Sequence, residues 1–235
     1  MVPQLSRCAK HDRRRLANGV TSVIEIRLAV TPEEVHTALQ LRYDVFTEEF
    51  GDERYADHSA RIYRDQFDIP GALINIAVEN DCIIGTMRVF ERESGPYIGD
   101  EMHEWGKLAA TLGKPEDEVI RGAVIVTRGA VARPFRRLGI LGGLIRHAHA
   151  LAADRGRIVS LGTVAVGNEE SARQLRRAGY ESYGVRQNQM GWLGEYFFCR
   201  LDGCAQAGDA QHIDELGLGL ENTGTSSLTS NNSVI

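Results

Sequence analysis

A basic, glycine-containing turn between a predicted strand and a predicted long helix is the stretch best suited to chemistry. The turn spans Arg133–Gly139, reads RPFRRLG and follows a β-branched stretch at 119–131 that is typical of a strand. Apolar residues at helical spacing begin at Ile140. The first N–H groups of a helix have no intrahelical partner, so such a turn is suited to bind an anion. The alternative is an ordinary connection with solvated arginines.

This turn resembles the acyl-CoA signature of the GCN5-related N-acetyltransferases, whose core reads Q/R-x-x-G-x-G/A. Arg136 and Gly139 match that signature, and Leu141 stands in place of the final glycine or alanine. The resemblance implies that the turn holds the phosphates of an acyl thioester.

A second pattern, downstream, resembles the same family. Asn168, Ser171, Leu175 and Gly179-Tyr180 follow the spacing of the family's N-x-x-A-x-x-x-Y-x-x-x-G-F. Leu175 replaces the tyrosine that often serves as general acid. The two patterns extend the resemblance over about residues 24–202.

The resemblance implies an α/β (α+β) acyltransferase fold, in which helices flank a mixed, mostly antiparallel sheet. Two parallel strands, expected at 119–131 and 158–166, splay apart in that fold and admit the pantetheine arm of the donor. The residues that the resemblance assigns to the donor site are Val131, Arg133, Arg136, Arg137, Leu138, Gly139, Ile140, Leu141, Asn168 and Ser171.

Four short segments also resemble the acyl-homoserine lactone synthases and the N-acyl amino acid synthases. They are the helix 41–49, a D-x-x-D at 65–68, a G-x-x-R at 85–88 and an E-x-x-R at 118–121. In those enzymes such residues form a charged network around the amine-substrate pocket. The alternative is a salt-bridge network that only orders the N-terminal helices. The predicted substrate-site residues are Arg42, Phe46, Asp65, Asp68, Arg88 and Arg121.

Amide formation from a thioester needs a neutral amine aimed at the carbonyl, a donor for the oxyanion and a base for the amine proton. Glu118 is the predicted base, because family members often use a carboxylate on the central strand and this residue is expected at its start. The alternative is a surface acid in the run Glu116-Asp117-Glu118.

Composition bounds the class of protein. The chain has 235 residues, a net charge of -5, 43% hydrophobic and 25% charged residues, which favours a soluble globular protein over a nucleic-acid binder. No apolar run approaches membrane-spanning length, and no secretory signal is evident. The four cysteines lack metal-site spacing, so we expect no metal, buried thiols at Cys82 and Cys199, and a reducing cytoplasm.

The predicted elements define one domain at 23–202, with an insertion at 92–117. A strand at 23–29 precedes a helix that starts at Thr31 and runs to about Phe50. Strands at 73–79 and 83–91 form a hairpin through Asn80-Asp81. Residues 1–22 form a basic arm, which we expect to be flexible, with a nucleic-acid or membrane contact as the alternative. Residues 203–235 carry no Lys or Arg, and we expect a disordered tail.

These patterns predict an N-acyltransferase that moves an acyl group from acyl-CoA or acetyl-CoA to a primary amine. One alternative is a long-chain enzyme whose donor is the phosphopantetheine of an acyl carrier protein and whose acceptor is an amino acid or peptide amine. A second is a catalytically inactive module that binds acyl-CoA, which the leucine at Leu175 keeps open.

Removal of residues 206–235 should leave the melting temperature and the turnover nearly unchanged, because that segment has no periodic apolar pattern. Differential scanning calorimetry of the truncated chain beside the full chain checks this. A cooperative loss of folding on truncation would show that the tail docks on the domain.

Overall fold

The computed structural model describes residues 23–69, 72–91, 103–187 and 193–201. The basic arm, residues 92–102 of the insertion and the tail lie outside the described residues, so the expectations for them stay predictions. The chain divides into two compact units. Unit 1 comprises residues 1–98 and 125–148, and unit 2 comprises residues 99–124 and 149–235.

Unit 1 contains a sheet with the strand order β1-β4-β5-β6. Strand β4 is antiparallel to both β1 and β5, and the β4–β5 hairpin closes through Asn80 and Asp81, both at positive φ. That is the geometry of a type I′ turn, as the sequence predicted. The elements of this unit are β1 (Glu25–Leu28), α1 (Pro32–Arg42), a π-helix (Tyr43–Glu49), β2 (Ala56–Asp57), β3 (Ile62–Tyr63), β4 (Leu73–Glu79), β5 (Cys82–Glu91), β6 (Ala123–Val131), a 3₁₀ turn (Arg133–Phe135) and the first part of α4 (Ile140–Asp154).

Helix α1 begins as predicted and then changes type. Thr31 and Glu34 form a reciprocal capping box, and Pro32 occupies the first turn. The predicted α-helix to Phe50 is wrong beyond Arg42, where a π-helix takes over. Three consecutive residues, Val45–Thr47, are buried there, which a narrow α-helical stripe does not accommodate. π-helical turns are frequent at functional sites.

Helices pack on both faces of the unit 1 sheet. Ala38 of α1 contacts Ile74 and Ile76 of β4 in one buried cluster. On the other face α4 approaches so closely that a Cβ on Gly85 would lie 2.9 Å from Ile140 Cγ2. A small residue at Gly85 is therefore required for this helix to reach the sheet.

Unit 2 contains an antiparallel sheet with the strand order β7-β9-β8. The sequence pattern predicts strands at 158–166, 180–187 and 195–201 and a helix in the insertion, and all four are present, the strands within two residues of those bounds. The elements of this unit are α2 (Trp105–Leu112), α3 (Glu116–Arg121), the remainder of α4, β7 (Val159–Ala165), α5 (Glu169–Arg177), β8 (Glu181–Gln187) and β9 (Leu193–Arg200).

The predicted strand at 119–131 begins too early. Residues Glu116–Arg121 form helix α3, and β6 starts only at Ala123. Three acids in the first turn and Arg121 in the last complement the helix dipole, and Gly122 ends the helix. Those charges outweigh the β-branched pair Val119-Ile120.

The described cysteines differ from each other. Cys199 is a buried thiol, as predicted. Cys82 begins β5, is half-buried and is disulfide-bonded, so the prediction of a buried thiol there is wrong. The cytoplasmic location stays a prediction. Within the described ranges, no helix is long and apolar enough to cross a membrane, and no acid, histidine or cysteine group is arranged to hold a metal.

Replacement of Thr31 by alanine should lower the free energy of unfolding by about 1 kcal/mol, because the first turn of α1 loses its side-chain acceptor. Thr37→Ala is the matched control, since the Thr37 hydroxyl donates within the same helix to the Glu33 carbonyl and caps nothing. Urea unfolding of both variants checks this. Equal losses in the two variants would show that the capping box contributes nothing.

Candidate functional site

The carboxylate of Asp65 lies at the centre of a buried charged network in unit 1. Its Oδ1 accepts from Arg88 Nη1 at 2.5 Å and from the Phe67 backbone at 2.9 Å. Its Oδ2 accepts from Arg88 Nη2 at 3.1 Å and from Arg128 Nε and Nη2 at 2.8 and 2.7 Å. Burial raises the pKa of Asp65, but the hydrogen bonds and charges of both arginines outweigh it and hold the pKa well below its ordinary value.

Asp68 connects a further arginine to this centre. Its Oδ1 accepts from Arg42 Nη1 at 2.7 Å and lies 3.0 Å from Arg88 Nη1. Its Oδ2 accepts from the Asp65 backbone at 3.0 Å, so the D-x-x-D segment folds into a closed turn. The structure thus brings together four of the predicted substrate-site residues, and their role toward a substrate stays a prediction.

Arg42 and Arg88 are completely buried, which is rare for arginine. Arg42 Nε and Nη2 have no hydrogen-bond partner among the residues that the structure describes. Burial, followed by repulsion from Arg88 and Arg128, lowers the pKa of Arg42, although Asp68 opposes this. The arginines of the network therefore carry more positive charge than the two carboxylates of Asp65 and Asp68 neutralise.

Arg128, in the middle of β6, is the member of the network that the sequence analysis missed. Its backbone is left-handed, with φ 57°, which costs a non-glycine residue about 1–2 kcal/mol. Its guanidinium lies over the rings of Tyr55 and Tyr63, at 4.9 and 5.3 Å from their centroids. A single charged residue inside the apolar run Val124–Val131 was the signal that could have revealed it.

Aromatic and acidic neighbours hold this arginine in position. Phe46 is buried and packs against Tyr63 with ring centroids 5.0 Å apart. The Tyr63 hydroxyl donates to Asp52 at 2.6 Å, and Asp52 also pairs with Arg54. Although burial raises the pKa of Asp52, the hydrogen bonds from Arg54 and Tyr63 lower it to about 2. Phe46 therefore packs against Tyr63, one of the two rings that contact the guanidinium of this arginine.

Glu118 and Arg121 are on helix α3 of unit 2, and the expected position of Glu118 on the central strand is wrong. Glu118 pairs with Lys114 at 2.7 Å, and Arg121 pairs with Asp117 at 2.7 Å, all with partly exposed side chains. The arginine that joins the network is Arg128 instead of Arg121. Three residues before Arg128, where an E-x-x-R pattern would place a carboxylate, the chain has Ile125.

The basic turn before α4 is open at its backbone. Arg137 and Gly139 have φ of 68° and 76°, and within the described part of the chain no heavy atom beyond the two neighbouring residues lies within 4 Å of where a Cβ of Gly139 would be. The first α-helical bond there runs from Gly143 N to Gly139 O at 2.9 Å. The N–H groups of the preceding helical residues, which include Ile140 and Leu141, are those that helix geometry leaves available to an anion.

The arginines and the leucine of the turn differ in their surroundings. Arg136 Nε donates to the Val131 carbonyl at 2.9 Å, and its two Nη atoms lie 2.9 and 3.0 Å from the Glu49 carboxylate. Arg133, Arg137 and Leu138 are exposed. The charge of Arg136 is therefore already balanced, whereas the other two arginines face solvent.

Asn168 and Ser171 lie in unit 2 at the start of α5. The Asn168 side chain caps the helix by accepting from the Ser171 backbone at 3.1 Å. This hydrogen bond gives both residues a structural role at the start of the helix. Their predicted contact with a donor stays a prediction. Leu175 is buried in the same helix, where a hydroxyl for acid catalysis is missing.

Comparison with known proteins is informative only at the level of structure. No family model and no curated protein matches the chain. The solved structure of BjaI, a CoA-dependent acyl-homoserine lactone synthase with SAM and isopentyl-CoA, matches with a TM-score of 0.59 at 19% identity, covering 79% of this chain and 86% of that one.

Two further structures have the same architecture. FeeM, an N-acyl amino acid synthase from uncultured soil microbes, matches with a TM-score of 0.55 at 14% identity, over 80% of this chain and 100% of that one. A protein described as an N-acetyltransferase from Lactobacillus plantarum matches with a TM-score of 0.54 at 17% identity, over 76% and 99%. The chain therefore has the α/β fold of the GCN5-related N-acetyltransferases, with a mixed, mostly antiparallel sheet, as predicted.

Asp65→Asn should lower the free energy of unfolding by about 3–5 kcal/mol, because it leaves two buried guanidiniums without their shared carboxylate. Asp117→Asn, at an exposed ion pair on α3, is the matched control and should have little effect. Guanidinium chloride unfolding measures both. A loss below about 1 kcal/mol for Asp65→Asn would contradict a structural dependence on this carboxylate.

Asp65→Asn should also change how the free energy of unfolding depends on pH in the acidic range. The pKa of folded Asp65 lies below its ordinary value of 3.8, so its contribution is complete above that pH and disappears as the pH falls further. The parent should lose stability over that acidic range by an increment that Asp65→Asn lacks.

Proposed function

We propose that this protein is an N-acyltransferase that moves an acyl group from an acyl thioester to a primary amine. The observation that carries the proposal is the open turn before α4, where two left-handed residues precede the first backbone N–H groups of the helix, within the fold of acyl-transferring enzymes. The helix dipole and the exposed Arg133 and Arg137 add positive charge for phosphates.

Acyl-CoA is the proposed donor. BjaI, which has the same fold, is described as CoA-dependent and as bound to isopentyl-CoA. The turn offers several N–H donors and two exposed arginines, which suit the several phosphates of CoA better than the single phosphate of a carrier-protein arm. An acyl carrier protein is the alternative donor.

The reaction requires no cofactor beyond the donor. The neutral amine attacks the thioester carbonyl, the C–N bond forms and the nitrogen gives one proton to the base or to water, while the C–S bond breaks to release a thiolate that takes up a proton. Backbone N–H groups stabilise the oxyanion. Because a thiolate leaves readily, the buried Leu175 in place of a tyrosine acid is compatible with turnover.

Release of free thiol tests the proposal. The full chain is incubated with acetyl-CoA or octanoyl-CoA and a panel of amines, and thiol is followed with a colorimetric reagent. Amine-dependent thiol release supports an N-acyltransferase. Tight CoA binding without release from any amine would favour the alternative, a catalytically inactive acyl-CoA-binding module.

Gly139→Asp should weaken CoA binding by roughly 1–3 kcal/mol, because it adds a side chain and a negative charge where the phosphates are expected. Gly156→Asp is the matched control. That glycine also has positive φ and, among the described residues other than its chain neighbours, no heavy atom within 4 Å of its Cβ position, but it follows the other end of α4. Isothermal calorimetry measures both affinities, and unchanged affinity in a folded Gly139→Asp variant would exclude this site.

Glu118→Gln tests the proposed base. If Glu118 accepts the amine proton, the turnover number should fall ~10²–10⁴-fold while donor affinity changes little. Glu116→Gln, in the same acidic run, is the control. A near-normal rate with an unaltered pH profile would show that Glu118 only pairs with Lys114 on α3, and that water accepts the proton.

A further inference from the structure

Arg42, at the end of α1, has an unused pair of hydrogen-bond donors in the interior of unit 1. Its side chain is completely buried, and its Nη1 donates to Asp68 Oδ1 at 2.7 Å. Its Nε and Nη2 have no partner within the described ranges. These two nitrogens form one edge of the planar guanidinium, from which parallel N–H bonds point in the same direction. Arg42 therefore presents a complete, buried donor edge.

Thr86 of β5 lies on the side of the sheet that α1 covers. It is opposite Ile76 of β4, and Ile76 packs against Ala38, one helical turn before Arg42. Two residues further along β5, on the same face, Arg88 shares a carboxylate oxygen with Arg42. The Thr86 side chain is completely buried, and the described part of the chain offers its hydroxyl no partner. Helix α1 thus covers three buried donor groups that lack an acceptor.

The network around these donors contains one more positive than negative charge. Three guanidiniums, those of Arg42, Arg88 and Arg128, share the two carboxylates of Asp65 and Asp68, and all of these side chains except Arg128 are at most 5% exposed. A net charge held away from water is costly unless an opposite charge approaches it. The nearby acids pair with arginines outside the network: Asp52 with Arg54, Asp44 and Glu48 with Arg61, and Glu49 with Arg136.

A monatomic anion suits this position better than water or a substrate group. Because the Arg42 side chain has no exposed surface, a substrate that binds from solvent does not reach its donor edge. A water molecule accepts at most two hydrogen bonds, must place two protons of its own and leaves the excess charge in place. A halide accepts from all three groups and neutralises the network.

We propose that Arg42 and Thr86 form a buried halide site, in which chloride accepts hydrogen bonds from Arg42 Nε and Nη2 and from the Thr86 hydroxyl. The ion completes the charge balance of the arginine–aspartate network and stabilises the packing of α1 against β5. The site is independent of the proposed acyltransferase activity, because neither an acyl donor nor an amine takes part.

Thermal unfolding of the full chain in different sodium salts tests the site. Chloride is titrated against gluconate at constant ionic strength, since gluconate is too large for a buried position. Chloride at about ten times its Kd should raise the Tm by roughly 3–6 °C over gluconate alone, because the ion binds the folded chain and not the unfolded one. Bromide should act in the same direction. Equal Tm values in chloride and gluconate would overturn the proposal.

Thr86→Val is the informative variant, because it removes the hydroxyl and keeps the branched shape. In gluconate it should be at least as stable as the parent, since a buried hydroxyl without a partner is lost. Its Kd for chloride, from the same titration, should rise roughly 10-fold.

Thr127→Val is the matched control. The Thr127 hydroxyl accepts from Arg88 Nε at 3.1 Å, so this variant perturbs the same network without removing a proposed chloride ligand. It should keep the chloride response of the parent. An equal chloride response in the parent and in Thr86→Val would assign the ion to another part of the chain and refute the site.

Anomalous X-ray scattering locates the ion directly. Crystals of the full chain grown in sodium bromide should show an anomalous peak at hydrogen-bond distance from Arg42 Nε and Nη2. A water molecule at that position, without an anomalous signal, would contradict the proposal even where the Tm responds to chloride.

Discussion

The bidentate pairing of Asp65 with Arg88, reinforced by Arg128, is the interaction on which unit 1 depends. It connects the segment after β3 with the middle of β5 and the middle of β6. Two guanidiniums and a carboxylate removed from water are stable only when all are paired. This requirement fixes where the irregular segment between the π-helix and β4 lies against the sheet.

The π-helix begins directly after Arg42 of this network. Arg42 ends α1 and reaches Asp68 from its buried side, and the next turns carry Phe46 against Tyr63. Glu49, at the end of the π-helix, pairs with Arg136 of the basic turn before α4. The π-helix thus packs against Tyr63, a neighbour of the charged network, and also pairs with the turn proposed for the donor, both within unit 1.

Most of the fold was predictable because its signals are local. The capping box at Thr31 and the turn at Asn80-Asp81 each depend on residues adjacent in sequence. The prediction failed at Glu116–Arg121, where charges placed for a helix dipole outweighed β propensity. It also missed the π-helix, because widening of a helix depends on what it packs against.

The site was predictable in part for a related reason. Arg42, Asp65, Asp68 and Arg88 belong to short patterns, and the structure brings them together. Arg128 belongs to no pattern recognised in the sequence, and its role follows from a left-handed residue within a strand, which only the folded backbone reveals.

The turn was recognisable from Arg136 and Gly139, but the pairing of Arg136 with Glu49 joins residues 87 apart and required the structure. Pairings over such separations are set by tertiary packing, which no local pattern in the chain encodes.

Hydrogen–deuterium exchange on the full chain with and without CoA tests the central claim most directly, namely that the donor is anchored at the start of α4. The account predicts that saturating CoA slows exchange of the backbone amides from Arg136 to Gly142 and leaves those from Tyr63 to Asp68 unchanged. Protection confined to another part of the chain, or no protection at a concentration that saturates binding, would contradict it.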